Sequence, residues 1–275
     1  VRVAQLELTL QPLAQGLESH QWSDAQLQSF QKQLEALDFF ADAKFAMNSE
    51  RAFFGGGILE YFRKLNSRER FHHFNAISAT PESPEAPVAD SFWPALYNGA
   101  APTGWFYLEQ LNYDQAYRNY LTPVIDAEHQ RVNPSLVRKA KANLEVARSP
   151  LQAFSQHRIF TALLLPDLSR FSEKAARAQT AANVAALACA LERYRLANGK
   201  FPPTLDALVP QFMRKLPHDV INGEPLHYRL TDDGQFVLYS VGWNETDDGG
   251  TIGWDMNRKV DWSSGDWVWR YPARP

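Results

Sequence analysis

Over the first 78 residues apolar positions recur at helical spacing. VAQLELTLQPLAQGLE is followed by WSDAQLQSFQKQLEAL, where Leu27, Phe30, Leu34 and Leu37 share a face and Ser23 with Gln26 spells a capping box. A third helix is predicted through DFFADAKFAMNSERAFF. It meets Gly55, Gly56 and Gly57, which mark a hinge or a close packing point, and resumes as ILEYFRKL. Residues 79–104 hold five prolines and no period, which predicts a surface excursion held to the body by Phe92 and Trp93. Helix returns at WFYLEQLNYDQAYRNYL and again after Asn133-Pro134 and Ser149-Pro150, both cap-plus-proline starts. Outside the excursion, everything to about residue 160 reads as helical.

The pattern changes after Pro166. DLSRFSEKAARAQTAANVAALACALERYRLANG predicts one unbroken helix of about 32 residues, with Val184, Leu187, Ala188, Leu191 and Tyr194 on one face and Gly199 as its left-handed stop. Thr204 is placed as the cap of a short helix, LDALVPQF. PLHYRL and QFVLYSV then flank TDDG, whose Asp233-Gly234 signals a hairpin, and DWVWRY supplies a third strand. The expected fold is α+β: an all-helical region over 1–160, then a domain over 163–275 whose long helix packs on a three- or four-stranded antiparallel sheet. The other side of that helix is left for the N-terminal helices.

Composition adds a sizeable core, since 45% of the 275 residues are hydrophobic and 13% aromatic, enough for one large or two ordinary domains. With 28 basic against 31 acidic residues there is no basic field for nucleic acid or an anionic membrane surface. The single cysteine, Cys189, excludes an internal disulfide and a Cys-rich metal site; within AALACALE it reads as a buried structural thiol rather than a nucleophile. No run reaches the roughly 18–20 apolar residues that span a bilayer, and FTALLLP ends in Pro166. The chain opens on Val1 rather than Met, from which an export signal or a membrane anchor upstream, and an anchored extracytoplasmic location, are expected.

From residue 163 onward the order of marks is similar to the globular part of a type II secretion major pseudopilin. Pro166 stands early in the long helix; Leu191, Tyr194, Asn198 and Gly199 form its exit; Phe201-Pro202 restart the chain. Leu216, Pro217 and Asp219, then Gly223, Pro225 and Tyr228, then Tyr239, Ser240 and Gly242 follow in the family's order, covering roughly 110 residues. The helical 160 residues ahead of this region depart from the family, in which the cleavage site and hydrophobic helix stand directly before it, so the resemblance implies the fold rather than pseudopilus assembly.

Candidate chemistry is concentrated in one place. His72 and His73 are neighbours about 100° apart on a helix and cannot face one metal, and His129 and His157 lie outside any metal-binding frame. FFGGGILEY lacks the Gly-Lys-Ser/Thr ending of a phosphate loop, and Glu109, Asp114, Asp126 and Glu128 are scattered as solvated faces are. The loop SVGWNETDDGGTIGWDMNRKVDWSSGD instead sets hard oxygens of Asn244, Glu245, Asp247, Asp248 and Asp255 on a glycine-rich backbone, a pattern open to Ca²⁺ or to a plain solvated turn. In the family it resembles, the corresponding loop binds calcium, which implies Asn244, Asp247 and Asp248 as ligands with Asp255 closing the site.

The functional expectation is a non-catalytic extracytoplasmic protein that uses a pseudopilin-like module for protein contacts, with a protein partner or self-association and no nucleic acid. Eight tryptophans, five of them after residue 242, favour an interface there, against the alternative that Trp267 and Trp269 cover the sheet. The competing reading is a hydrolase or ligand-binding enzyme with a pocket between the helical half and the 79–104 loop. A deep polar pocket would favour the enzyme, and an aromatic patch near Trp262, Trp267 and Trp269 the binding module.

Overall fold

A computed structural model of the chain describes residues 2–78, 101–146, 150–159, 161 and 168–271. The architecture is α+β, with an N-terminal helical region and small antiparallel sheets. Helices α1 (Arg2–Glu18), α2 (Asp24–Glu35), α3 (Phe39–Glu50), α4 (Ile58–Lys64), α5 (Ser67–Ser78), α6 (Trp105–Ala116), α7 (Pro134–Val146) and α8 (Pro150–Ser155) precede the long α9 (Leu168–Asn198). A short pair, β1 (Ile125–Asp126) and β2 (Arg131–Val132), interrupts the helical part, where no strand was expected. After α9 come β3 (His227–Leu230), β4 (Phe236–Ser240), β5 (Ile252–Trp254), β6 (Val260–Gly265) and β7 (Trp267–Tyr271). They form a three-stranded sheet ordered β3-β4-β7 and a separate β5-β6 hairpin.

The contacts divide the chain into two compact units: Val1–Ala43 with Ile125–Pro134 and Phe171–Pro275, and Lys44–Val124 with Ser135–Arg170. In the first, α9 runs unbroken to Asn198, and Gly199 (φ +76°) ends it while donating its N–H to the Arg195 carbonyl. Every residue from Val184 to Arg193 is buried, so the helix is covered all round rather than on one face. Phe236 and Leu238 of β4 meet it from the sheet, and Leu13, Leu17, Leu27 and Leu34 of α1 and α2 belong to the same core.

Two charged residues of this buried stretch fasten the helical layer. Glu192 accepts from His20 at 2.8 Å and takes both arms of Arg195, while Arg193 reaches Asp24 at 2.8 Å, Gln31 at 3.0 Å and the Phe212 carbonyl at 3.2 Å. Helix α2 is started by the predicted capping box of Ser23 and Gln26. It buries Leu27, Gln31 and Leu34, while Phe30 stacks edge-on to Trp22 at 4.9 Å. Beyond α9 the Tyr228 hydroxyl donates to the Pro202 carbonyl at 2.8 Å, and Phe201 packs edge-on to Phe236 at 5.0 Å. Thr204 makes no side-chain cap, and its helix is one 3₁₀ turn, Leu205–Leu208, shorter than expected because Pro210 stops it.

The second unit is helical. The helix through Phe39 does not pause at its glycines: it passes through a π-helical stretch, Arg51–Gly57, directly into α4. Gly55 is a close packing point, since a Cβ there would overlap the ring of Tyr113. Arg70 is buried and donates to the carbonyls of Phe62, Ala101 and Arg63, with its guanidinium 4.5 Å from the Phe106 ring centre. Glu109, buried on α6, accepts the Ile159 N–H at 2.8 Å. Residues 79–100, with Phe92 and Trp93, lie outside the described residues, as does any pocket that they would border.

The expectation of a membrane-anchored, extracytoplasmic protein is corrected. Among the described residues no helix is long and apolar enough to cross a membrane; the longest, α9, carries Glu173, Lys174, Arg177, Glu192, Arg193 and Arg195.

Gly55 and Gly57 give a paired prediction. Gly55→Ala should lower stability by about 1–3 kcal/mol because its methyl collides with Tyr113. Gly57→Ala, whose Cβ meets nothing within 4 Å, should leave stability unchanged or raise it by up to about 1 kcal/mol. Urea denaturation of both variants checks this, and equal effects would contradict it.

Candidate functional site

The acidic loop between β4 and β5 lies on the outer face of the sheet. Tyr239 and Val237 alternate with the inward Phe236 and Leu238, and Gly250 (φ +78°) sits so close to both that a Cβ would lie 3.2–3.3 Å from their side chains. Gly242 (φ +71°) turns the chain out of β4 where a side chain would strike the Gly265 carbonyl. The loop can therefore approach the sheet only because these positions are glycine.

Two buried carboxylates hold its ends. Asp219 accepts the Ile221 N–H and the Ser240 hydroxyl on one oxygen and the Val241 N–H on the other, each at 2.9 Å. The Leu-Pro-x-Asp and Tyr-Ser-x-Gly marks are thus two halves of one clamp. Asp266 accepts the N–H groups of Asp248 at 3.2 Å, Gly250 at 2.6 Å and Thr251 at 3.2 Å. Burial pushes its carboxyl above the usual range, and the three N–H groups pull against that shift. Local pattern did not single out Asp266, because its role depends on burial beside the Gly249-Gly250 turn.

The β1-β2 pair completes this corner: Val132 donates its N–H to the Val220 carbonyl at 2.8 Å, and Arg131 to the Asn222 carbonyl at 2.7 Å.

The four predicted ligands fall into separate settings. Asn244 and Asp248 come together, the amide donating to the carboxylate at 2.8 Å. Asp247 accepts the Gly249 N–H at 2.9 Å and the Tyr239 hydroxyl at 3.1 Å, and lies 3.6 Å from His227, whose ring stacks on Tyr239. The Gly249 N–H, then the Tyr239 hydroxyl and the His227 charge, hold the Asp247 carboxyl below its usual range; burial and the same carboxylate push Tyr239 up to about 12. Asp255 belongs to the tip of the β5-β6 hairpin, where it accepts the N–H groups of Asn257 and Lys259 at 2.8 Å. Glu245 is an exposed left-handed residue (φ +61°) in the same loop. Among the described residues no three His, Cys, Asp or Glu side chains form a metal-holding group.

The remaining candidates are structural. His73 meets the Tyr61 hydroxyl at 3.3 Å, and His129 pairs with exposed Asp126 at 2.7 Å. Cys189 is fully buried on α9, and burial pushes its thiol up to about 12, the setting of an inert packing thiol.

The C-terminal tryptophans divide. Trp243 and Trp267 are buried and stacked at 6.4 Å, and Trp269 packs partly buried against the core, as expected of residues that cover the sheet. Trp254 (57% exposed), Met256 (fully exposed) and Trp262 (38%) instead face outward on the β5-β6 hairpin. Trp254 and Met256 carry the outward apolar surface that attention to Trp267 and Trp269 missed.

Compared with family models, curated proteins and solved structures, the chain matches none of them.

Asp219→Ala should cost about 3–5 kcal/mol, because it leaves the Val241 and Ile221 N–H groups and the Ser240 hydroxyl buried without an acceptor. Chemical denaturation measures it; a loss below about 1 kcal/mol would mean that the clamp does not hold the loop.

Proposed function

We propose that the protein is non-catalytic and that its C-terminal part serves as a pseudopilin-like module for protein contacts, made through the β5-β6 hairpin. The observation that carries this reading is the exposed trio Trp254, Met256 and Trp262 on one short hairpin, with Arg258 at its turn. Trp, Met and Arg are the residues in which interface centres are enriched, and Trp254 and Met256 leave most of their apolar surface outside their own fold. The hairpin is held rigidly: Asp255 closes its turn, and Asp266 ties its base to the acidic loop.

A photo-crosslinking residue placed at 254 or 256 in the producing cell should give a discrete protein adduct. The same residue at exposed Leu230 on β3 serves as the control. Adducts indistinguishable from that control would overturn the proposal.

Calcium belongs to the same proposal. Asn244 and Asp248 are in contact, and Asp247, the neighbour of Asp248 in the chain, keeps an ionised carboxylate in the same turn. A hard divalent ion would draw its oxygens from these three and offset the repulsion of the adjacent carboxylates, while Asp255 stays with the hairpin tip. Titration calorimetry on metal-free protein should show weak binding, with Kd around 10⁻⁴–10⁻³ M, abolished by Asp248→Ala. No heat and no rise in Tm at millimolar calcium would leave the loop a solvated turn.

A further inference from the structure

Beside the hairpin, α1, α9, β6 and β7 enclose a cavity of about 500 Å³, within the size range of small-ligand sites. Leu6 and Leu10 of α1, Val184 of α9 and the indoles of Trp267 and Trp269 make its walls largely apolar. At Trp262 the Arg177 guanidinium lies 3.9 Å from the ring centre. A neighbouring cavity of about 450 Å³ shares Leu6 and Leu10, so α1 leaves apolar space on both sides.

Two polar groups of the lining are out of keeping with an apolar cavity. The Thr180 hydroxyl, on a residue almost wholly buried, and the Trp269 indole N–H are both buried without a hydrogen-bond partner. Native proteins rarely leave such groups unpaired, since each forfeits its hydration with nothing in return. One charged side chain lines the cavity, Arg177, whose guanidinium lies on the Trp262 ring, and Glu173, one turn earlier on α9, is within electrostatic reach of it. A ligand cation placed in this cavity would meet the like charge of Arg177, and an anion would compete with Glu173 for it, so an uncharged ligand fits best.

From the cavity, its indole walls and these two unpaired groups, we infer that the first unit binds a small, uncharged, largely apolar molecule bearing a hydroxyl or similar group. Its oxygen accepts from the Trp269 indole N–H, and its hydrogen-bonding group pairs with the Thr180 hydroxyl. The apolar body lies against Leu6, Leu10 and Val184. This site shares Trp262 with the hairpin contact and uses none of the proposed calcium ligands.

Titration calorimetry of the full chain with 1-decanol, decanoate and decylammonium at pH 7 tests the inference. Decanol should bind saturably, and both ions at least about tenfold more weakly, because one meets the like charge of Arg177 and the other must displace Glu173 from it in a largely apolar cavity. Thr180→Val keeps the volume, Trp269→Phe gives up one ring of the indole wall, and each removes one unpaired polar group. Each should weaken decanol by about three- to tenfold, Thr180→Val with Tm unchanged or higher and Trp269→Phe with a modestly lower Tm. Ala181→Leu, which fills the cavity from α9, should abolish binding in a folded protein. No saturable decanol heat, equal affinity for the ions, or undiminished affinity in the folded Thr180→Val and Trp269→Phe variants would overturn it.

Discussion

The first unit depends on a helix that has no outside. From Val184 to Arg193 every residue of α9 is buried, and six of these ten are Ala or Cys or Val. Small side chains let α1 and α2 approach one side and β4 the other, so one helix supplies the centre of a core that neither layer could build alone. The same constraint explains the two charges in this stretch. Glu192 and Arg193 cannot reach water, and each is matched by partners on the helical layer: His20 for the first, Asp24 and Gln31 for the second. They fix where the α1-α2 corner sits on the helix, which apolar contact by itself would specify poorly.

The sheet side is organised by buried carboxylates in place of bulk. Asp219 gathers the exit of β4, and Asp266 gathers the backbone of the acidic loop, so a glycine-rich segment that could wander is tied at both ends. This leaves the side chains of Trp254 and Met256 on the surface of a well-held hairpin, while the part-exposed Trp262 ring carries the Arg177 guanidinium. Stability and exposure are thus separated along the chain: Trp243 and Trp267 serve the core, while the tryptophans of the hairpin do not.

What was legible in the sequence was local. The capping box at Ser23, the stop at Gly199 and the Asp233-Gly234 turn each depend on a few adjacent residues, and each is found where expected. The β1-β2 pair was not legible, because two-residue strands carry no alternation and Val132 finds its partner, Val220, far along the chain. The N-terminal helices were expected on the other side of α9, whereas the burial of every residue from Val184 to Arg193 was not legible, because its alanines are too small to mark a second apolar face. Among the candidate ligands, Asn244 and Asp248 meet, whereas Asp255 is taken up by a hairpin turn that the apolar pattern did not reveal.

The account turns on α9 as the shared centre of the first unit, and native-state hydrogen exchange measures that most directly. The slowest amides of α2, of Val184–Leu191 and of β4 should open together, with one free energy and one denaturant dependence, because unfolding either layer exposes the helix between them. Exchange of α2 at a free energy about 2 kcal/mol or more below that of β4, with α9 still protected, would show that the helical layer is an accessory to a self-sufficient helix and sheet, and would contradict the account.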